Sequence, residues 1–325
     1  MWPGQGIRAA TFALALLSGA MAAGAESYPT RAVQVIVPFA GGSASDVLTR
    51  IVLERMGVAM GRRFVVDNRP GAGGDIGTAA AAKAEPDGYT LLMSTSGPLA
   101  ANRSLFHDLG YDPEKDFAPI GLFAVIPNIV VISTKLPINT LAELTAYAKN
   151  HPKVLNYGSV GVGSSQHLAG VYFEQVVGVE LTHVPYRNIA QYVPDLMTGA
   201  VPLGFQFLPN IVTPLGTKDA RALAVAGKTR LAALPDVPTS AEAGLSNYES
   251  SGWLALLAPR GTPQTIIARL HAELTSAIAD PAVRERFVDL GAQPISGTPD
   301  ELAQFIPTET LKWRDIIMRG GITMH

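Results

Sequence analysis

The chain contains no cysteine. That excludes disulfide staples, thiolate metal sites, cysteine nucleophiles and thiol redox chemistry. A chain of 325 residues can build its core without covalent cross-links. Charge is sparse as well: 16% of residues are Asp, Glu, Lys or Arg, and the formal net charge is −2. No basic footprint for nucleic acid follows from that, and no polybasic run exists to hold an anionic membrane surface. Beyond the N-terminal stretch, no segment carries the roughly 18 uninterrupted apolar residues of a spanning helix. The six histidines, at 107, 151, 167, 183, 271 and 325, show no His-x3-His spacing, so no metal site is expected.

Other chemistries are missing by motif. A phosphate loop needs Gly-x4-Gly-Lys-Ser/Thr, but Gly227-Lys228-Thr229 lacks the earlier glycine. "GAGGDIG" at 71–77 spaces its glycines one residue off the dinucleotide fingerprint. It reads as a tight turn that lets a helix pack closely. A nucleophile elbow needs Gly-x-Ser-x-Gly; the nearest match, Gly163-Ser164-Ser165-Gln166-His167, has histidine in place of the last glycine. No pair of carboxylates stands out for glycoside chemistry. The reading is a non-enzyme: no catalytic residue, no cofactor and no metal.

What is present is apolar and periodic. Apolar residues make up 47% of the chain, and its length favours two domains of about 100–200 residues each. Arg8, the apolar stretch "AATFALALLSGAMAAGA" and the small-x-small site Ala23-Gly24-Ala25 read as a cleaved export signal over 1–25. Strand-like runs such as "VQVIV", "RFVVDN", "YTLLMSTS", "IPNIVVIST" and "SGWLALLAP" alternate with helical patterns. This argues for α/β architecture with largely parallel sheets, ligands sitting beyond the carboxyl ends of strands. "TPDELAQFIPTETLKWRDIIMRGG" reads as a final long helix with Pro307 as a kink point.

Two loops stand where a ligand would sit. "PFAGGSASD" and "NYGSVGVGSSQHLAG" each place glycines and serines just before a helix. Such a loop offers backbone N–H groups, hydroxyls and the positive end of a helix together. Two of them facing across a cleft would hold a carboxylate from both sides.

The ordered set "YPTRAVQVIVPFAGGSASDVLTR", "VVDNRPGAGGDIG", "AEPDGYTLL", "YDPEKDFAPI", "LNYGSVGVGSSQHLAG", "HVPYR", "LPDVPTSAEAG", "WLALLAPRGTP" and "DLGAQPISGTPDELAQFI" resembles the Bug family. These are TctC-like extracytoplasmic receptors of tripartite tricarboxylate transporters. The resemblance covers about 26 to 325. It implies an α/β periplasmic-binding-protein clamshell with two interlobe crossovers, lobe one holding 26–127 plus 252–325 and lobe two 128–251. It also implies a periplasmic address, a small carboxylate ligand, and delivery to transporter subunits in the membrane. The same fold serving a sensor kinase is an alternative, and a serine esterase a more distant one, disfavoured because no base is seen beside a serine.

By the resemblance, the lobe-one wall holds Phe39, Ala40, Gly42, Ser43, Ser45 and Asp46, with Ser94, Thr95 and Ser96 from the loop after "GYTLL". Lobe two supplies Ser159, Gly163, Ser164 and Ser165, with His167 opening the helix and Tyr186 in "HVPY". Three departures from the family pattern matter. Ser43 replaces a common glycine, Arg187-Asn188 replaces lysine-glycine, and Gln206 stands where aspartate is frequent. A neutral Gln206 in the cleft cannot pair with an ammonium, so the expected ligand is a di- or aromatic carboxylate without one. Phe39, Phe205 and Phe207 are candidate apolar walls, with strand alternation letting only one face of 205–207 see the cleft.

Overall fold

The computed structural model describes residues 28–322. The expected export signal, 1–25, lies outside them. Strands β1 (Val33–Val37), β2 (Phe64–Asn68) and β3 (Thr90–Thr95) run parallel, linked by helices α1 (Ala44–Met60) and α2 (Asp75–Ala82). In β1 every residue but Gln34 is buried, which is why a continuous β-branched run suits it. Helix α1 starts where Ser43 Oγ accepts the Asp46 N–H and stops at Gly61, whose φ of 64° is left-handed. Two irregular helical turns, Gly97–Ala101 and Asn102–Ser104, lead towards β4 (Phe117–Pro127).

Asn128 carries the chain into a second sheet. There follow β5 (Ile129–Ser133), α3 (Leu141–Asn150), β6 (Asn156–Ser159), α4 (Ser165–Val177), β7 (Thr182–Pro185), α5 (Ile189–Thr198), β8 (Leu203–Gln206), α6 (Leu208–Gly216) and β9 (Ala220–Val225). The segment 226–250 then returns the chain to the first sheet. It continues as β10 (Ser251–Pro259), α7 (Gln264–Ala279), α8 (Pro281–Asp289), β11 (Gln293–Pro294) and α9 (Pro299–Arg319). The strand orders are β11-β4-β10-β3-β1-β2 and β7-β6-β8-β5-β9. The architecture is thus α/β with two sheets, one per lobe.

The sheets are mixed rather than largely parallel. β10 is antiparallel to β3 and β4, and β5 is antiparallel to β8 and β9. The cause is the crossing itself, because a strand arriving from the other lobe enters its sheet at the interlobe edge and must run away from it. The run "IPNIVVIST" accordingly breaks at Asn128 into the end of β4 and the whole of β5. β4, α6 and the short β11 lie outside the sequence reading. β4 contains Pro119 and Gly121, residues that argue against a strand, and shows register shifts against β10. α6 contains Pro209 and Pro214, residues that argue against a helix, but Pro209 falls in the first turn, where a missing N–H costs no internal bond. α9 runs unbroken through Pro307.

The two crossovers are stitched to each other. Asn128 N–H donates to Ser250 O (2.9 Å) and Asn128 Nδ2 to Ser250 Oγ (3.1 Å). Ser250 N–H donates to Ala226 O (2.9 Å), and Ala226 N–H to Asn128 O (2.8 Å). The lobes also share apolar core: Phe207 packs into the lobe-one cluster around Leu254 and Leu256, and Leu168 and Val171 of α4 into the one around Trp253 and Trp313.

Gly158 shows how tightly lobe two is packed. A Cβ there would fall on the ring of Tyr192, which is fully buried and whose hydroxyl donates to Leu203 O at 2.9 Å. The ring therefore has no room to retreat. Gly158→Ala is expected to lose about 1–3 kcal/mol of stability, the usual cost of overpacking. The urea midpoint measures it, and an unchanged midpoint would mean that β6 and α5 can separate freely.

Candidate ligand-binding cleft between the lobes

All strands of the two main parallel sets end at the gap between the lobes, so the helices that follow them begin there. Five helices open on one pocket in that gap. Its wall includes Ser43, Ala44 and Ser45 at the start of α1, Gly74 at α2, Ser165 and Gln166 at α4, Asn188 and Ile189 at α5, and Phe207 and Asn210 at α6. N–H groups in the first turn of a helix have no partner within it, and the helix dipole makes that end positive. Among the described residues the wall carries no Asp or Glu, and Arg187 is its only charged residue. The pocket therefore favours an anion and offers no carboxylate to an ammonium.

Thr95 gives the site a directed donor. It ends β3 at the pocket wall, is 3% exposed, and its Oγ1 has no hydrogen-bond partner among the described residues. Burying an unpaired hydroxyl is costly, and an acceptor in the pocket relieves that cost. Phe39 and Phe207 supply the apolar part of the wall. The gap holds about 490 Å³ of space between atoms, partly continuous with solvent. The lobes are drawn close: Ser96 Oγ lies 2.9 Å from Ser165 Oγ, and Ala44 N–H donates to Asn210 Oδ1 at 3.0 Å.

The residues singled out in the sequence divide into two groups. Phe39, Ala40, Ser43, Ser45, Thr95 and Ser165 line the pocket. The others stand behind it. Asp46 accepts from Gly42 N–H, Arg50 Nε and Asn68 Nδ2 at 2.9–3.0 Å. Burial works to raise its pKa, but the hydrogen bonds from Arg50, Asn68 and Gly42 prevail and hold it below the usual carboxylate range. It shapes the Phe39–Asp46 loop and is not part of the pocket wall. Ser94 Oγ pairs with Thr78 Oγ1 at 3.3 Å. Ser164 caps α4 and donates to Gly161 O at 2.7 Å, while Gly163 N–H donates to His167 Nδ1 at 3.2 Å. Tyr186 donates to Asp195 Oδ2 at 2.5 Å, which pins the turn before α5.

Two expectations need correction. Gln206 is fully buried; its Nε2 donates to Gly158 O (3.0 Å) and its Oε1 accepts from Asn210 Nδ2 (3.4 Å). It does not face the pocket but orients Asn210, which does. The strand ends at Gln206, so Phe205 turns into the lobe-two core while Phe207, at the start of α6, turns to the cleft. Ser159 also has a base beside it: its Oγ lies 2.6 Å from His183 Nε2. Burial lowers the His183 pKa to about 4, and the ring sits 4.2 Å from that of His167. Yet Ser159 is fully buried, bonded to the Gly161 backbone and absent from the pocket wall. No carboxylate orients His183 among the described residues. The pair braces the loop.

Arg187, Asn188, Gln166 and Asn210 line the pocket without having been assigned to it from sequence. For Arg187 the signal was visible as a departure from the family pattern. For Asn210 the two prolines of α6 hid the helix that carries it.

Two α/β lobes closing on an anion-favouring pocket define the class of two-lobed solute-binding receptors. Within it, the chain belongs to the TctC family, described as the tripartite tricarboxylate transporter family receptor, whose model matches residues 48–322. It is 35% identical over 298 residues to BugT of Bordetella pertussis, with 91% of each chain covered. Rpa4515 of R. palustris, solved with adipate, superposes with a TM-score of 0.88 at 35% identity, over 92% of this chain and 100% of that one. MatC of Rhodopseudomonas palustris, solved with bound malate, gives 0.83 at 33% identity, over 89% and 100%. The family is a solute-receptor type and not an enzyme class.

Lobe one braces its side of the cleft with a buried carboxylate. Asp75 accepts from Asn102 Nδ2 (2.6 Å) and Tyr111 Oη (2.7 Å), and a Cβ on Gly163 of lobe two would strike Asn102. Burial raises the Asp75 pKa from 3.8 to about 6, against the opposing pull of those two hydrogen bonds. Between these values the folded state keeps a proton that the unfolded chain releases, so this group's contribution to stability falls as pH rises from about 4 to 6 and is level above. The shift corresponds to about 3 kcal/mol. Asp75→Asn keeps an acceptor without the charge, so its stability relative to wild type should climb by about that amount across the window. Urea melts at several pH values measure it. A variant-minus-wild-type difference that does not change with pH would refute the assignment.

Proposed function

We propose that this chain is a periplasmic receptor that closes its two lobes around a small carboxylate without an ammonium group and presents it to membrane subunits of a tripartite tricarboxylate-type transporter. The observation that carries the reading is the convergence of five helix amino ends on a pocket with no acidic side chain. The relatives solved with adipate and malate support a carboxylate, and a dicarboxylate in particular. Phe39 and Phe207 suit the carbon chain of such a ligand. A receptor of this kind needs no nucleic acid, cofactor or metal.

The mechanism follows from the fold. Lobe one is taken as 26–127 with 252–325 and lobe two as 128–251, hinged where Asn128 and Ser250 are stitched. The lobes touch across the cleft, so they part to admit a diacid and close by hinge motion. Closing brings Ser45 and Thr95 of lobe one and Ser165 and Asn210 of lobe two onto the same molecule. Its carboxylate replaces water at the helix starts and accepts from Thr95 Oγ1. The energy gained holds the lobes shut, and the closed form is what the transporter subunits meet.

Calorimetry on the exported chain tests this against succinate, malate, adipate and benzoate, with glutamate as the ammonium-bearing control. At least one of the carboxylates should bind, and glutamate should bind more weakly. Thr95→Val, which removes one hydrogen bond to a charged group, should weaken the best ligand about tenfold or more. Binding of glutamate alone, or an unchanged affinity in Thr95→Val, would overturn the reading.

A further inference from the structure

The lobe-two rim of the pocket carries a cation that the fold does not use. The turn after β7 is fixed from several sides. Tyr186 N–H donates to Ser159 O (2.9 Å), Tyr186 Oη to Asp195, Arg187 N–H to Gln191 Oε1 (3.2 Å), and Gln191 N–H back to Asn188 Oδ1 (3.1 Å). Arg187 therefore stands on a rigid base at the pocket wall. Its guanidinium enters no ion pair and makes no side-chain hydrogen bond among the described residues. Many other arginines of this chain do pair, as Arg50 does with Asp46, Arg55 with Asp280 and Arg103 with Glu114. An unpaired guanidinium beside a wall free of carboxylates adds a second centre of positive potential to the one made by Thr95 and the start of α1. The two lie on opposite lobes.

We propose that Arg187 is the specificity-determining residue of the pocket, taking a second anionic group of the ligand so that the receptor selects molecules charged at both ends. This rests on the carboxylate-receptor reading and deepens it. A guanidinium presents a planar fork of donors matched to a carboxylate. A mono-acid satisfies the Thr95 side and leaves Arg187 unpaired; a diacid satisfies both and couples the lobes through its own carbon chain. The neutral end of a half-amide has the same size and can accept a hydrogen bond, but it lacks the charge. Discrimination between the two is thus electrostatic and belongs to Arg187.

The experiment compares adipate and succinate, each with its own mono-amide, by calorimetry near neutral pH on wild type, Arg187→Gln and Arg187→Lys. Wild type should prefer the better-binding diacid to its mono-amide by about tenfold or more, the scale of a charge-assisted hydrogen bond. That ratio should fall to about one in Arg187→Gln and be partly restored in Arg187→Lys, a comparison that isolates the pairwise coupling. Raising the salt concentration should shrink the wild-type ratio and leave that of Arg187→Gln alone. A wild type that binds diacid and mono-amide equally overturns the proposal while leaving the carboxylate receptor intact. So does an Arg187→Gln variant that weakens both ligands by the same factor with the ratio preserved. If wild type binds none of the four compounds, the proposal fails; the carboxylate reading falls with it only if malate and benzoate also fail to bind.

Discussion

Every α-helix begins with N–H groups that its own backbone cannot satisfy, and the arrangement of this molecule follows from where those groups are gathered. In a parallel β-α unit the helix starts where the strand ends, so a sheet of such units collects its helix starts along one edge. Here two sheets present those edges to each other. Only β5 and β10, which enter from the opposite lobe, and the short β11 run the other way. The positive potential in the gap is therefore a property of the topology before any side chain contributes. Side chains then adjust it: Thr95 adds a donor, Phe39 and Phe207 remove water, and Asp46 is neutralised by Arg50 away from the wall.

The sequence displayed the parts of this that are local. Gly-Ser loops before helices have a composition set by their own backbone, and Ser43 and Ser164 cap the helices beside the cleft. It concealed what depends on neighbours distant in the chain. Gln206 looked like a ligand contact, but its amide is held by Gly158 O, 48 residues earlier, and no spacing rule foretells that bond. Ser159 met a histidine for the same reason, since β6 and β7 lie side by side and bring His183 against it, 24 residues later. The mixed sheets were equally hidden. A strand buried on both faces reads alike whichever way it runs, and only the crossovers fix its direction.

Around the pocket the lobes are in close contact. A Cβ on Gly73 or Gly97 of lobe one would collide with the carbonyl of Val162 or Gly163 in lobe two. Phe207 reaches into the lobe-one core, and Gln175 Nε2 donates to Ile316 O of α9 at 2.6 Å. Backbone thus lies against backbone on the loop side and apolar surface against apolar surface behind it. The same loops that offer N–H groups to a ligand are the ones that set how near the lobes can come, so anion capture and closure share their residues.

The position of β10 carries a further consequence, for the order in which the molecule is built. Lobe two is made of one continuous stretch of chain, whereas β10 inserts between β3 and β4. Until residues 251–259 have emerged, those two strands stand with open edges, each lacking the partner that its hydrogen bonds require. Lobe two can complete its sheet while lobe one still waits, because pairing across so long a separation must follow the nearer pairings. A chain made amino end first therefore holds its first-made half unfinished longest. The facing rims of β3 and β4 are the edges that stay open longest.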